Sequence, residues 1–322
     1  MTPLRSLAVA AALAAAAGLA PAHAADTVIV GAVGSASTNL WPIHIGIKKG
    51  FFAGENIAVD LIYAQSNTGV VQQVAAGSVN MSVSTGLVDP IRAIDKGAPV
   101  AIVRIEVQAP PYALLAKPAI KSIKELKGKL VSLGGAKDIT RIFVERMLAP
   151  NGVKPGEFDM VFAGATSARF SALQSGAVDA AILTAPFNFH AEAAGFTNLG
   201  MTTEYVKDLP FSGSTVNRTW AAANKPLAAR FIAAYNKSIA WFQDRANRAD
   251  AVRIMVEVSK LKPEDVEKGY DFLQGGGFFE LTGKVSKQKL GKLIEALREL
   301  GDIEGATAAD RFLMPDVTQV AD

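Results

Sequence analysis

The sequence predicts an α/β protein of two similar lobes, each a largely parallel sheet flanked by helices. Three observations carry this. Short apolar runs alternate with helical patterns of about 8–12 residues, the mark of βα units. The alternation restarts near Tyr112. A weak internal repeat links the halves: Val74–Asn80 (VAAGSVN) resembles Leu173–Asp179 (LQSGAVD). Each reads as a helix end, a glycine cap, a valine entering a strand, and an amide or acid.

In order, Thr27–Val33 is an apolar run of buried-strand type, and Gly34–Asn39 is a loop of small polar residues. Trp41–Lys49 reads as a helix that tolerates Pro42 in its first turn. Ile57–Tyr63 is a strand, Thr68–Ala76 a helix stopped by Gly77, and Val79–Ser84 a strand. Asp89-Pro90 opens the next helix, with aspartate as cap and proline in the first turn. Val100–Val107 is a strand. The second series begins with strand Tyr112–Ala116 and a capping box at Ser122–Glu125. Strands Leu130–Leu133, Asp159–Phe162 and Ala180–Leu183 then alternate with helices Asp138–Ala149, Ser167–Ser175 and Pro186–Ala194. Beyond Val216–Ala222 the chain is mostly helical: Lys225–Arg245, Ala249–Ser259, Pro263–Phe272 and Lys287–Leu300, with a bend at Gly275–Gly277.

The 322 residues are 50% hydrophobic and 20% charged, with net charge +3. This is ordinary globular composition, long enough for two domains. A near-neutral balance argues against nucleic acid as the main partner, because phosphate binding needs a clustered basic surface. The absence of cysteine excludes disulfides, thiolate metal sites and a cysteine nucleophile. At the N-terminus, Arg5 precedes the apolar run Leu7–Ala20, Pro21 breaks it, and Ala22-His23-Ala24 supplies a small-x-small cleavage pattern. Residues 1–24 are expected to be a cleaved signal peptide, because the run is short and alanine-rich for a spanning helix. With no cysteine at the cleavage point, the expectation is a periplasmic protein without a lipid anchor.

Enzyme motifs are missing. No Gly-x-Ser-x-Gly elbow occurs. Ser286–Lys289 fits Ser-x-x-Lys but reads better as a helix cap, and Gly134–Lys137 lacks the first glycine of a P-loop. His44 and His190 show no metal-ligand spacing, although His44 stays a marginal site candidate. Neither catalysis, a metal nor a cofactor is expected.

Four segments in order carry a resemblance: Trp41–Phe52 (WPIHIGIKKGFF), Ala76–Asn80, Ile123–Lys129 (IKELKGK) and Ala172–Ala180 (ALQSGAVDA). Together they resemble the nitrate/sulfonate/taurine-type ABC-transporter solute-binding proteins, a group that includes thiamine-pyrimidine-precursor binders. The resemblance implies a two-lobed class II periplasmic binding protein fold with two crossover strands and ligand held between the lobes. It maps lobe 1 to residues 25–112 plus 216–322 and lobe 2 to 113–215. It implies an ABC permease as partner, a monomer, and a small-molecule ligand. Relatives that donate their own cofactor for thiamine synthesis depend on cytosolic location and cysteines, which this chain does not match.

In open parallel sheets, ligands bind beyond the carboxyl ends of strands, where loops meet helix N-termini. That rule gives Ser35, Ser37, Thr38, Asn39, Gln65, Ser66, Asn67, Ser84 and Thr85 from lobe 1. Lobe 2 supplies Lys137, Thr140, Arg141, Thr166, Thr184 and Asn188, and the crossings supply Gln108, Ser212, Ser214 and Thr215. Trp41 is a candidate for stacking on a ligand ring, with core packing as the alternative. Ser37, Thr38 and Thr166 equally suit helix caps, and Arg141 equally suits an ion pair with Asp138 on its own helix. Arg169 is a weaker ligand candidate of the same kind. Arg104 reads as a strand-end group or a sheet-edge arginine, and Phe187 and Phe189 as packing residues. The helix N-termini with Lys137 and Arg141 favour an organic anion, a sulfonate or carboxylate, aromatic or not. The neutral polar groups leave open a heterocycle such as a pyrimidine precursor, or a sensory role presenting ligand to a membrane receptor.

Overall fold

The computed structural model describes residues 24–34, 38–206, 209–305 and 308–321. The expected leader up to residue 23, and the site candidates Ser35 and Ser37, lie outside the described residues.

The first series runs β1 (Asp26–Val33), α1 (Trp41–Lys48), β2 (Ile57–Ala64), α2 (Asn67–Ala76), β3 (Met81–Gly86), α3 (Val88–Asp95) and β4 (Val100–Val107). The second runs β5 (Tyr112–Ala116), β6 (Leu130–Leu133), α4 (Ile139–Leu148), β7 (Asp159–Phe162), α5 (Thr166–Gln174), β8 (Ala180–Thr184), α6 (Phe187–Ala193) and β9 (Thr197–Met201). The chain then forms β10 (Ser212–Asn217) and helices α7 (Arg218–Ala223), α8 (Lys225–Gln243), α9 (Arg248–Ser259), α10 (Pro263–Gly275) and α11 (Lys287–Glu299).

Among the described residues the strands form two five-stranded sheets, ordered β2-β1-β3-β10-β4 and β7-β6-β8-β5-β9. In the first, β1 is parallel to β2 and β3, while β10 is antiparallel to β3 and β4. In the second, β6 is parallel to β7 and β8, while β5 is antiparallel to β8 and β9. Each sheet therefore takes its fourth strand from chain that has just arrived from the other sheet. The two crossings run side by side: Phe211 N donates to Val107 O at 2.9 Å, and Tyr112 N to Thr202 Oγ1 at 3.2 Å. Tyr112 begins a strand of the second sheet, and Ser212–Thr215 belong to the first, because β10 pairs along its whole length there.

The internal repeat has a structural basis. Gly77 and Gly176 both sit at φ +79°, a conformation that glycine adopts without steric cost. Val79 and Val178 follow, both buried. The next side chains then tie neighbouring parallel strands together: Asn80 Oδ1, just before β3, accepts from Ile29 N of β1 at 2.8 Å, and Asp179 Oδ2, just before β8, from Leu130 N of β6 at 3.0 Å.

One local expectation changes. The third helix begins at Val88, so Asp89 lies inside it, buried, and accepts from Thr68 Oγ1 at 3.3 Å instead of capping. Arg104 lies on the edge strand β4, in keeping with the sheet-edge reading, but is fully buried there, with bonds to Asn236 Oδ1, Ile105 O and Glu280 O.

Candidate functional site

A cleft between the sheets encloses about 510 Å³ of atom-free space, including its open mouth. Val33, Asn39, Ser66, Asn67 and Ser84 line it from the first lobe. Gly134, Asp138, Gly164, Ala165, Thr166 and Arg169 line it from the second, and Tyr112 and Phe211 from the crossings. Most of the lobe residues follow the carboxyl ends of parallel strands or open helices, as parallel-sheet geometry requires, while Ser84 lies within β3 and Tyr112 and Phe211 stand where the antiparallel strands β5 and β10 begin.

Three helix N-termini reach this cleft and differ in one respect. At α2, Ser66 Oγ accepts from Gly69 N at 3.2 Å. At α4, Asp138 Oδ1 accepts from Thr140 N at 2.9 Å. At α5 the capping position is Ala165, which has no side-chain acceptor to offer. The first amides of α5 are thus left for an outside acceptor, at the positive end of the helix dipole.

Arg169, only 3% exposed, stands on the same helix. Its Nε donates to Ile182 O at 2.9 Å, one Nη to Gly164 O at 2.6 Å, and the other to Thr166 Oγ1 at 2.7 Å. These bonds fix the guanidinium plane, which lies over the Tyr112 ring at 5.7 Å. Tyr112 stays neutral, because burial pushes its pKa up to about 12. Tyr112 and Phe211 meet edge to face at 5.2 Å, forming an apolar wall. A Cβ on Gly134 would lie 2.7 Å from Asp138 Cγ and 3.1 Å from Arg169 Nη1, so the two charges flank one point of backbone.

Several contacts bridge the lobes around the cleft. Asn67 Nδ2 donates to Asp138 Oδ2 at 2.9 Å, and Arg92 donates to Lys137 O. Thr38 N donates to Ala185 O at 3.4 Å. Phe189 packs against Phe272 at 5.6 Å. His190 Nε2 lies 2.7 Å from Asp265 Oδ2, off the line that a hydrogen bond requires. Asp89 sits beneath this seam; burial, then the charge of Asp138, raises its pKa to about 7 against the pull of Arg92.

Of the candidates read from sequence, Asn39, Ser66, Asn67, Ser84 and Thr166 line the cleft. Exposed Gln65 adjoins it through its carbonyl, 3.1 Å from where a Cβ on Gly164 would stand. Thr38, Thr184, Asn188 and Ser212 are buried, each with a side-chain oxygen lacking a partner. The others are engaged elsewhere. Trp41 is fully buried, edge to face with Phe242 at 6.2 Å, so it cannot stack on a ligand. Arg141 pairs with Glu145 at 2.8 Å rather than with Asp138 or the cleft. Lys137 is exposed and meets the other lobe through its carbonyl. Thr140 closes the Asp138 turn at 2.6 Å. Thr85 and Thr215 form a hydroxyl chain with Ser82 inside the sheet, and Ser214 donates to Glu106. Gln108 accepts from Lys289 at 2.7 Å, near the crossing. His44 lies 3.2 Å from Tyr63 OH, away from the cleft lining. Sequence reasoning ranked Arg169 low and missed Tyr112, Phe211 and Asp138.

The family described as NMT1/THI5 like matches residues 37–249, which take in both halves of this cleft. The chain belongs to the NMT1/THI5-like family. Solved structures place this NMT1/THI5-like protein in the periplasmic binding protein fold. The alkanesulfonate-binding protein SsuA from Xanthomonas axonopodis pv. citri, bound to MOPS, is 16% identical, with 92% of this chain and 98% of that chain covered and a TM-score of 0.74. The nitrate-binding protein NrtA from Synechocystis PCC 6803 is 17% identical, with 91% and 86% covered and a TM-score of 0.72. The desulfurization enzyme DSZB shares the fold at 13% identity, 91% and 97% coverage, and TM-score 0.67. No curated protein sequence matches this NMT1/THI5-like chain. No helix among the described residues is long and apolar enough to cross a membrane.

Proposed function

We propose that this protein is the solute-binding component of an ABC importer, acting as a periplasmic monomer. It captures a small organic anion, a sulfonate or carboxylate with an apolar or aromatic body, and performs no covalent chemistry. The observation that carries this reading is the uncapped start of α5 at Ala165, beside the buried Arg169. An acidic oxygen placed there would accept the free helix amides in a site shielded from water. The Tyr112–Phe211 wall would hold the ligand's body. Bridging contacts from both lobes support closure around it, with ligand shifting the balance toward the closed form.

A second reading, a neutral N–H-bearing heterocycle, draws on Asp138 in the same lining. A thermal-shift screen separates them. The protein is unfolded and refolded to strip bound ligand, then tested with alkyl and aryl sulfonates, carboxylates, nitrate and pyrimidines. A ligand at 100 times its Kd adds about 2.7 kcal/mol, a rise of several degrees. Stabilisation by acids without turnover supports the proposal. Stabilisation by pyrimidines alone overturns the anion, and product formation overturns the binding role.

A further inference from the structure

We propose that Glu106, which is absent from the cleft lining, is the positioning residue that shapes the cleft floor at Ser84. The functional consequence rests on the solute-binding reading; the structural claim does not.

β10 lies between β3 and β4, and its register slips as it passes. Against β3 it pairs Ser212 with Gly86 and Gly213 with Thr85, then Thr215 with Ser82. The register against β4 shifts over the same stretch. A Cβ on Gly213 would lie 2.3 Å from Arg104 O, so the bulge draws the strands too close for a side chain. Ser84 has no partner in this ladder, and its amide turns to a side chain two strands away. Glu106 Oε2 on β4 accepts Ser84 N at 2.8 Å.

Ser84 is held at φ +54°, a left-handed conformation that non-glycine residues rarely adopt. Such strain persists only where the surroundings enforce it, and it clusters at ligand sites. Here it directs the Ser84 hydroxyl to Asn39: Oγ donates to Asn39 O at 3.0 Å and accepts from Asn39 Nδ2 at 2.9 Å. Both residues line the cleft. Glu106 itself is fully buried and also accepts from Ser214 Oγ and, at 3.0 Å, from Tyr235 OH. All three contacts are donors, so the group serves as an acceptor anchor. Burial raises its pKa, and buried Arg104 and these bonds oppose that rise. Burying a carboxylate is costly compared with an apolar residue of similar size. A clamp on strained cleft backbone gives this one a purpose.

The test compares Glu106→Gln, Ser84→Gly and the double variant, using serine-selective ¹⁵N labelling and calorimetry with benzenesulfonate and benzoate. In E106Q the Ser84 amide proton should move upfield and exchange about tenfold faster, as a charge-assisted bond is lost. The Ser132 amide in the other lobe should not change. Affinity for whichever acid binds should fall about tenfold. In the S84G background the same change should cost less than about threefold, because glycine takes the left-handed conformation unaided. If E106Q fails to fold, recovery of folding in the double variant supports the proposal and its absence overturns it. An unchanged Ser84 amide, or equal losses in both backgrounds, also overturns it. If neither acid binds the wild type, the anion reading fails, and the Ser84 amide still decides the role of Glu106.

Discussion

Asn67 Nδ2 donates to Asp138 Oδ2 at 2.9 Å, joining the start of α2 in one lobe to the start of α4 in the other. The other end of the same amide accepts from Gly86 N at 3.1 Å, so its orientation is set before the lobes meet. Hydrogen bonds to a charged group contribute about 1.5–3 kcal/mol. Asn67→Ala should therefore shift the protein toward the open form and weaken ligand binding by about tenfold or more. Small-angle scattering would show a larger radius without ligand, and calorimetry the lost affinity.

Ala165→Asp should separate stability from function. The new carboxylate would cap α5 from within, adding about 1 kcal/mol to stability. It would also occupy the position proposed for the ligand's acid group and repel it. The expected result is a higher Tm with anion binding abolished. A variant that binds as well as wild type would remove α5 from the site.

Asp89 gives the protein a pH dependence. Its folded pKa of about 7 lies above the ordinary aspartate value, so the folded state holds the proton more tightly than the unfolded one. This group's contribution is most favourable below about pH 4, declines as pH rises toward about 7, and is flat above. Part of the shift comes from Asp138 in the opposite lobe, so closure should weaken over the same window. Melting curves and affinities taken from about pH 5 to 8 should show both falling up to about pH 7 and levelling above it, and Asp89→Asn should flatten the slope.

Gly77 and Gly176 offer a matched pair. A Cβ at Gly77 would find only Asn217 Nδ2, at 3.8 Å, and one at Gly176 nothing within 4 Å. The cost of alanine at either position is thus backbone strain alone, about 1–2 kcal/mol. Gly77→Ala and Gly176→Ala should lower stability by similar amounts in chemical denaturation. A large difference would break the equivalence of the two turns.

Much of this architecture is legible in the sequence because it depends on local chemistry. Alternation of apolar runs with helical periods gives the βα order, and glycine caps mark where helices stop. The loops holding Asn39, Ser66, Asn67, Ser84 and Thr166 follow from strand ends alone. What depends on tertiary packing does not show. Arg141 and Arg169 both begin helices, yet one faces solvent beside Glu145 and the other turns inward to three acceptors. Trp41 opens a helix near the cleft but is claimed by the core under α8 and α10. Tyr112 and Phe211 become a wall only because the two crossings lie side by side. Glu106 is hidden by its setting in an apolar strand, and its partner Ser84 is 22 residues away on another strand.

The exchange of fourth strands has a consequence for the order of folding. The second sheet is assembled from a continuous stretch, Tyr112 to Met201. The first is not: β10 separates β3 from β4, and its bond from Thr215 to Ser82 spans 133 residues. Long loops close late, because their entropy is lost before the contacts repay it. The N-terminal lobe, although synthesised first, must wait for chain that has already traversed the other lobe. Pulse-labelled hydrogen exchange during refolding should protect β6 and β8 before β3 and β4. A chain still emerging from the ribosome would then keep its first half incomplete, and so remain threadable, until most of it has been made.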